Sequence, residues 1–323
     1  MRVFVLVLLS IPAWGQQLLP QTLASDLKGG YQVLAADLNN DGRPDLIALA
    51  SGLPNLDWFE NPGVIDKPWL RHTLATGFRQ LINVAYLAKP TPQLLVAHEF
   101  SNIPSNSLGV LSVLTPGSDS REAWTVREIH RIPTSHRLRT VNGVFLNAPL
   151  SDPMSHPPEY RGQIPLTTYP DLKAKIISSA DSGVMHGIYV TDFDNDGRED
   201  ILTASFTGIH LLTAKKDGSF ERRLLHAASP KPWPRSGSSD VTVVKVRGRN
   251  YLASIDPWHG NEFSIYAPSG KKYKREVLDA KVTEGHTVLA VDLDGDGNEE
   301  VVYGARREGG SLRLARLVKN KWR

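Results

Sequence analysis

Val291-Asp292-Leu293-Asp294-Gly295-Asp296-Gly297-Asn298-Glu299-Glu300-Val301-Val302 is the stretch from which the fold is read. Oxygen-bearing side chains at alternate positions, glycine in the turn and a late carboxylate have the composition of a calcium loop. The flanks are not helical. Thr287 to Val291 and Val301 to Tyr303 are apolar, β-forming runs, so the loop joins two strands. The pattern recurs from Asp192 through Asp194, Asp196, Gly197 and Asp200, and again from Asp37 through Asn39, Asp41, Gly42 and Asp45. Three copies of one strand–loop–strand unit call for a repeat architecture.

A second recurring segment sets the period. Short stretches, polar on one side and apolar on the other, begin at Leu19, Leu70, Thr125, Leu172, Glu221 and Lys274. They lie roughly fifty residues apart, near the period of a propeller blade. Each has the pattern of an outermost strand. Between them lie further strands: Gln32 to Ala36, Asp45 to Ala50 and Leu56 to Glu60 in the first unit, Gly187 to Thr191, Ile201 to Ser205 and Ile209 to Thr213 in the fourth. Four short strands per unit and no long helix predict an all-β chain folded as a single β-propeller. The count is six blades, with a seven-bladed ring as the alternative. The first edge segment, Leu19 to Ala24, precedes the first full set of inner strands, and the last set lacks an edge segment. The N-terminal strand is therefore expected to close the ring. Inserts near 101–108, 148–165 and 228–239 should project from one common rim.

Residues 1–15 combine a basic second position, a short apolar core and small residues at Ala13 and Gly15, the pattern of a signal peptide. Residues 16–323 are then expected to form one propeller domain, secreted or periplasmic. No later apolar run approaches the ~20 residues of a membrane helix. With no cysteine, disulfides contribute nothing. The net charge of +3 is small, and no basic run is interleaved with aromatics, so nucleic acid is not an expected partner. A mildly cationic surface is compatible with anionic sugars or envelope polymers. Nucleophile elbow, Walker loop, dinucleotide fingerprint and His-Glu-x-x-His helix are all absent, which argues against serine hydrolases, ATPases and NAD enzymes.

The acidic loops supply three sets of ligand candidates for a hard cation, up to three structural Ca2+ in all. They are Asp37, Asn39, Asp41, the Arg43 carbonyl and Asp45; Asp192, Asp194, Asp196, the Arg198 carbonyl and Asp200; and Asp292, Asp294, Asp296, the Asn298 carbonyl and Glu300. An all-oxygen cage repeated around a scaffold reads as a staple. These loops join first and second strands, so they belong to the face opposite the second-to-third-strand loops.

That opposite rim carries the candidate chemistry. Just before the inner strands stand Ser135-His136-Arg137, Met185-His186-Gly187 and Gly285-His286-Thr287. Just after the second strands stand Ala97-His98-Glu99, Asp256-Pro257-Trp258-His259 and Ala305-Arg306-Arg307. Five of the ten histidines are thereby expected to converge near the axis. Imidazoles ligate Zn2+ or another divalent transition metal, and they equally serve as acids and bases near neutral pH. Arg137, Arg139, Arg306 and Arg307 are candidates to stabilise an oxyanion or enolate, and Trp258, Trp233 and Tyr160 to stack on a sugar ring.

The Asp-x-Asp-x-Asp-Gly loops and Trp58-Phe59-Glu60-Asn61 resemble FG-GAP/VCBS propeller repeats, a likeness that speaks to fold. A narrower likeness lies in Ser135-His136-Arg137-Leu138, Pro158-Glu159-Tyr160-Arg161-Gly162, Met185-His186-Gly187, Arg235-Ser236-Gly237-Ser238-Ser239 and Asp256-Pro257-Trp258-His259-Gly260-Asn261-Glu262. Together these resemble the propeller domain of the aldos-2-ulose dehydratase (1,5-anhydrofructose dehydratase) group. The resemblance implies a metal-assisted lyase that eliminates water from a keto-sugar. It implies His136, His186, His259 and His286 as metal ligands or acid/base groups, with Arg137 and Tyr160 contacting substrate. The rival expectations are a polysaccharide lyase acting by β-elimination, and a non-catalytic propeller binding glycans or proteins.

Overall fold

The computed structural model describes residues 21–64, 67–306, 310–319 and 321–323. The expected signal peptide, Leu19 and Pro20 of the expected closing strand, and Arg307 lie outside them. The first blade is β1 (Gly30–Ala36), β2 (Asp45–Ala50), β3 (Leu56–Glu60) and β4 (Leu70–Ala75). The second is β5 (Asn83–Leu87), β6 (Gln93–His98), β7 (Val110–Thr115) and β8 (Thr125–Arg131). The third is β9 (Ser135–Val141), β10 (Val144–Pro149), β11 (Gln163–Tyr169) and β12 (Lys175–Ser182). The fourth is β13 (Met185–Thr191), β14 (Asp200–Ser205), β15 (Gly208–Ala214) and β16 (Phe220–His226). The fifth is β17 (Asp240–Val246), β18 (Arg249–Asp256), β19 (Glu262–Ser269) and β20 (Lys272–Asp279). The sixth holds β21 (Gly285–Val291), β22 (Glu300–Ala305) and β23 (Leu312–Ala315), followed by a small hairpin, β24 (Leu317–Val318) and β25 (Lys321–Trp322). Every ladder is antiparallel and each blade pairs its strands in chain order, so six blades stand around the ring. Residues 21–24 form no strand, and the sixth sheet has three described strands.

Burial explains the sequence pattern. Second strands such as β2 and β14 are buried almost throughout because neighbouring blades cover both faces, hence their continuous apolar runs. Outer strands such as β20 stay largely exposed and charged. The core therefore lies between blades, in clusters that join the first to the second, and so on to the fifth and sixth. Trp58, Phe145 and Phe263 are fully buried in them, and each such side chain stabilises the fold by about 1.5–3 kcal/mol. The seam between the sixth and first blades differs: Val33 is 67% exposed on β1 and Leu289 is 55% exposed on β21.

In the third blade the edge strand begins three residues later than the Leu172 start. Pro170–Leu172 is a 3-10 turn, with Asp171 and Leu172 at φ 49° and 60°, and the strand resumes only at Lys175. The late carboxylate of each acidic loop has a second task. Asp45 accepts the N–H groups of Leu38 and Asn61, Asp200 those of Phe193 and Ala214, and Glu300 that of Leu293. Each buried carboxylate closes its own loop, and the two aspartates also tie the chain at the end of the third strand.

Candidate active site at one end of the central channel

The six inner strands enclose a channel of about 740 Å³. At its mouth one irregularity recurs. The β1–β2 ladder pairs Gly30 with Ala50 and then Gln32 with Leu49, omitting Tyr31. The corresponding ladders omit His136, His186 and His286 in the same way. A bulged residue leaves the ladder and its side chain is re-aimed. Four inner strands thus deliver Tyr31, His136, His186 and His286 to one end of the channel.

His259 arrives from the loop between β18 and β19. Asp256, fully buried at the end of β18, accepts hydrogen bonds from Ser254 Oγ (2.7 Å), Tyr266 Oη (2.6 Å) and Arg275 Nε (3.0 Å). Arg275 also holds Glu262 at 2.6 Å, so both ends of the loop are anchored. A Cβ on Gly260 would lie 2.2 Å from the Asp256 carbonyl oxygen, so only glycine fits that return. His259 itself sits at φ 45°, a left-handed conformation costing about 1–3 kcal/mol and found preferentially at functional sites.

The rings form a compact group. Centroids are 5.1 Å apart for His136 and His186, 4.9 Å for His186 and His286, 5.0 Å for His186 and His259, and 5.3 Å for His259 and His286. Tyr31 Oη shares a 3.1 Å hydrogen bond with His136 Nε2. Arg137 Nε donates to the His186 carbonyl at 2.9 Å, and its Nη2 lies 3.4 Å from His186 Nε2. Ser239 Oγ lies 3.3 Å from His186 Nδ1. Two buried nitrogens, His136 Nδ1 and His259 Nε2, have no hydrogen-bond partner.

Burial, reinforced by nearby arginines, holds all four imidazoles neutral at physiological pH. His136 and His186 are lowered well below the usual histidine value, His259 to about 4 and His286 to about 3. Nitrogens of His186, His259 and His286 lie within 4.8 Å of one another, and His136 stands beside this group. Three neutral imidazoles suit zinc or a similar transition metal by donor chemistry, and the orphaned His259 Nε2 has a lone pair to give. Arg137, next to His186, instead suits an anionic oxygen.

No protein-family model matches the chain, so the FG-GAP/VCBS type rests on the loop pattern alone. The chain is similar to aldos-2-ulose dehydratase of Phanerodontia chrysosporium. The two are 27% identical over 226 residues, 59% of this chain and 25% of the relative, so the chain matches about a quarter of that protein's length. Among solved structures it is similar to luciferin-regenerating enzyme, 13% identical with a TM-score of 0.50 over 86% of this chain and 83% of that one. AztD of Citrobacter koseri is 12% identical, with a TM-score of 0.53 over 91% and 78%. The structural likenesses are of fold alone.

His98 is the fifth histidine expected at the axis, and the structure places it elsewhere. Its Nε2 bonds Ser112 Oγ of the third strand at 3.0 Å and its ring packs on Phe78, so it faces its own blade. Glu99 holds Arg79 at 2.9 Å. Tyr160 is buried with its hydroxyl donated to the Asn102 carbonyl at 3.2 Å, and its ring stands edge-on to Trp258. Trp233 Nε1 donates to the Glu159 carbonyl at 2.8 Å. Tyr160 and Trp233 therefore bind the three rim inserts into one wall, and Trp258 connects that wall to His259. Tyr160→Phe is expected to cost about 0.5–1.5 kcal/mol of stability and less than about threefold in turnover, measured by thermal melts and initial rates; a loss of roughly a hundredfold would restore Tyr160 to the reacting groups. Arg139 lines the channel. Arg306 is exposed at the rim, 3.6 Å from Glu284, and lowers both His259 and His286.

Sequence reading missed Tyr31 and Asp240, and it placed Ser239 on this rim without giving it a role. Tyr31 had a usable signal, since Gly30-Tyr31 opens β1 as Gly285-His286 opens β21. Asp240 opens β17 and lines the channel, where burial pushes its carboxyl up to about 6.

On the opposite rim the structure gathers Asp192, Asp194 and Asp200, and separately Asp292, Asp294 and Glu300, each set with oxygens within 4.8 Å of one another. Such all-carboxylate sets suit a hard cation. Asp196 turns instead to the Arg198 guanidinium, and Asp296 accepts the Asn298 side-chain and backbone N–H groups. In the first blade Asp41 pairs with Arg43 and Asn39 spans Asp41 and Glu60, so no three-acid group forms there among the described residues.

Proposed function

We propose that the chain is a carbohydrate-active propeller lyase that removes water from a keto-sugar of the 1,5-anhydrofructose or aldosulose type. The observation that carries this reading is the group of four neutral histidines at one end of a small-molecule-sized channel. The similarity to a dehydratase supports it.

Dehydration of a β-hydroxy ketone needs a base for the proton beside the carbonyl and positive charge for the enolate oxygen. It also needs an acid for the departing hydroxyl. His136 is assigned the base: with its Nε2 occupied by Tyr31, the unpartnered Nδ1 takes the proton. The C–H electron pair becomes the enolate, stabilised by the Arg137 guanidinium. Collapse of the enolate expels the β-hydroxyl, the His136 imidazolium returns its proton, and water leaves with no net change in the protein. His186, His259 and His286 would hold a divalent transition metal, which when bound supplies Lewis acidity to the carbonyl oxygen. Export to the periplasm or beyond and structural Ca2+ at the acidic loops belong to the same reading. They are supported by the leader-like N-terminus and the two carboxylate groups.

The test is direct. Purified protein with added divalent metals is incubated with 1,5-anhydrofructose, glucosone, and pectic or ulvan-type chains, following ultraviolet absorbance from a new conjugated double bond. A saturable rise with the keto-sugars is expected. Signal from the polymers alone would replace the dehydratase by a polysaccharide lyase, and silence from folded protein would leave a binding propeller.

A further inference from the structure

Arg137 and Arg139 occupy alternate positions of β9, so both project from its channel face. Each is only half-buried and incompletely paired. Arg139 donates Nη1 to the Leu138 carbonyl at 2.8 Å. Arg137 uses Nε on the His186 carbonyl and approaches His186 Nε2 with one terminal nitrogen. A guanidinium has five N–H donors, so most of this pair's donors face the channel unused.

The acid that would neutralise them stands apart. Asp240 enters from β17 and spends its oxygens on the backbone N–H groups of Val241 (3.1 Å) and Val288 (3.2 Å). Among the described residues it forms no ion pair within 4 Å with either arginine, although its charge and theirs influence one another. Two guanidinium groups therefore face one carboxylate across a confined space, directly beneath His136 and His186. Confinement strengthens charge interactions, and paired planar forks match the oxygens of carboxylate or phosphate. The channel volume falls within the ~300–1,000 Å³ typical of small-ligand sites. At the rim, Arg235 lines a smaller pocket beside His259 and adds positive charge to the approach.

We propose that the channel below the histidines is an anion subsite, in which Arg139, together with the Arg137 donors not turned to the enolate oxygen, receives a carboxylate or phosphate carried by an acidic keto-sugar whose carbonyl reaches the histidines. This deepens the functional reading and rests on its assignment of this end of the channel as the substrate site. Asp240 sets the affinity by partial neutralisation: its carboxylate discourages an anion too weakly charged to displace its influence on the arginines.

Calorimetric titration of the full chain at low salt with glucuronate, glucose 6-phosphate and glucose tests the proposal. The acidic sugars should bind at least about tenfold more tightly than glucose. Arg139→Gln should weaken the acids by roughly tenfold or more, the size of one lost charge-assisted hydrogen bond, and leave glucose unaffected. Asp240→Asn should tighten them severalfold, and because asparagine still accepts a backbone N–H this variant keeps the test informative if Arg139→Gln folds poorly. Preference between the two acids identifies the carboxylate or the phosphate. Equal affinity for acidic and neutral sugars overturns the subsite, as does an unchanged affinity in folded Arg139→Gln. Dehydration of 1,5-anhydrofructose that survives Arg139→Gln undiminished, without acid-sugar binding, overturns the subsite and leaves the dehydratase reading standing. Acid-sugar binding without turnover of any keto-sugar supports the subsite and removes that reading.

Discussion

His186→Ala is expected to lower dehydratase turnover by about 10²–10⁴-fold and to strip the protein of any transition metal. His186 is the hub of the cluster, since its ring touches His136, His259 and His286 at 5.1, 5.0 and 4.9 Å. At 2% exposure its removal opens a cavity beside Arg137. It also frees Ser239 Oγ and brings an arginine against a vacated ligand position. Circular dichroism establishes that the variant is folded, and His186→Gln keeps a polar group should alanine destabilise it. Metal content is read after mild chelation and zinc re-addition; equal retention by wild type and variant would sink the metal assignment, and undiminished turnover would sink the site. His98→Ala is the informative control. It occupies a comparable rim position in sequence but faces Ser112 and Phe78, so less than about threefold loss is expected.

The contrast between His186 and His98 shows where sequence legibility ends. Blade strands were readable because burial on both faces writes continuous apolar runs, and Asp45–Ala50 and Leu56–Glu60 match β2 and β3 residue for residue. The third blade's edge was misplaced because Pro170 and two left-handed residues shift the strand start. Three histidines, His136, His186 and His286, were readable from register because their inner strands share one bulge, and His259 because it closely follows a second strand. His98 was not, because its end position on β6 says nothing about which face its ring takes. The anchor at Asp256 was hidden for another reason: Tyr266 and Arg275 come from two later strands, and no local pattern announces a three-strand hydrogen-bond hub.

Removing hard cations should lower the melting temperature by about 5–10 °C, with calcium restoring it. Asp192, Asp194 and Asp200 crowd three carboxylates into one loop, and Asp292, Asp294 and Glu300 do so in another. Asp200 and Glu300 are buried, and burial together with the neighbouring acids Asp194 and Asp196 pushes the Asp200 carboxyl upward. Unmatched, such groups repel; a bound divalent ion converts repulsion into cross-links between the first and second strands of two blades. A ligand at a hundred times its dissociation constant stabilises the native state by about 2.7 kcal/mol per site. At a transition entropy of about 2.1 cal/mol/K per residue, a domain of ~300 residues shifts by roughly 1.6 °C per kcal/mol, so two sites give about 9 °C, inside the stated range. Asp194→Ala and Asp294→Ala should each remove roughly half of the chelator response. Asp41→Ala should leave it intact, because the first loop carries Asn39 where the others carry Asp194 and Asp294, and no three-carboxylate group forms there among the described residues. A wild-type melting temperature that ignores the chelator would end the staple reading for both loops, and a response lost on Asp41→Ala would return the first loop to the set.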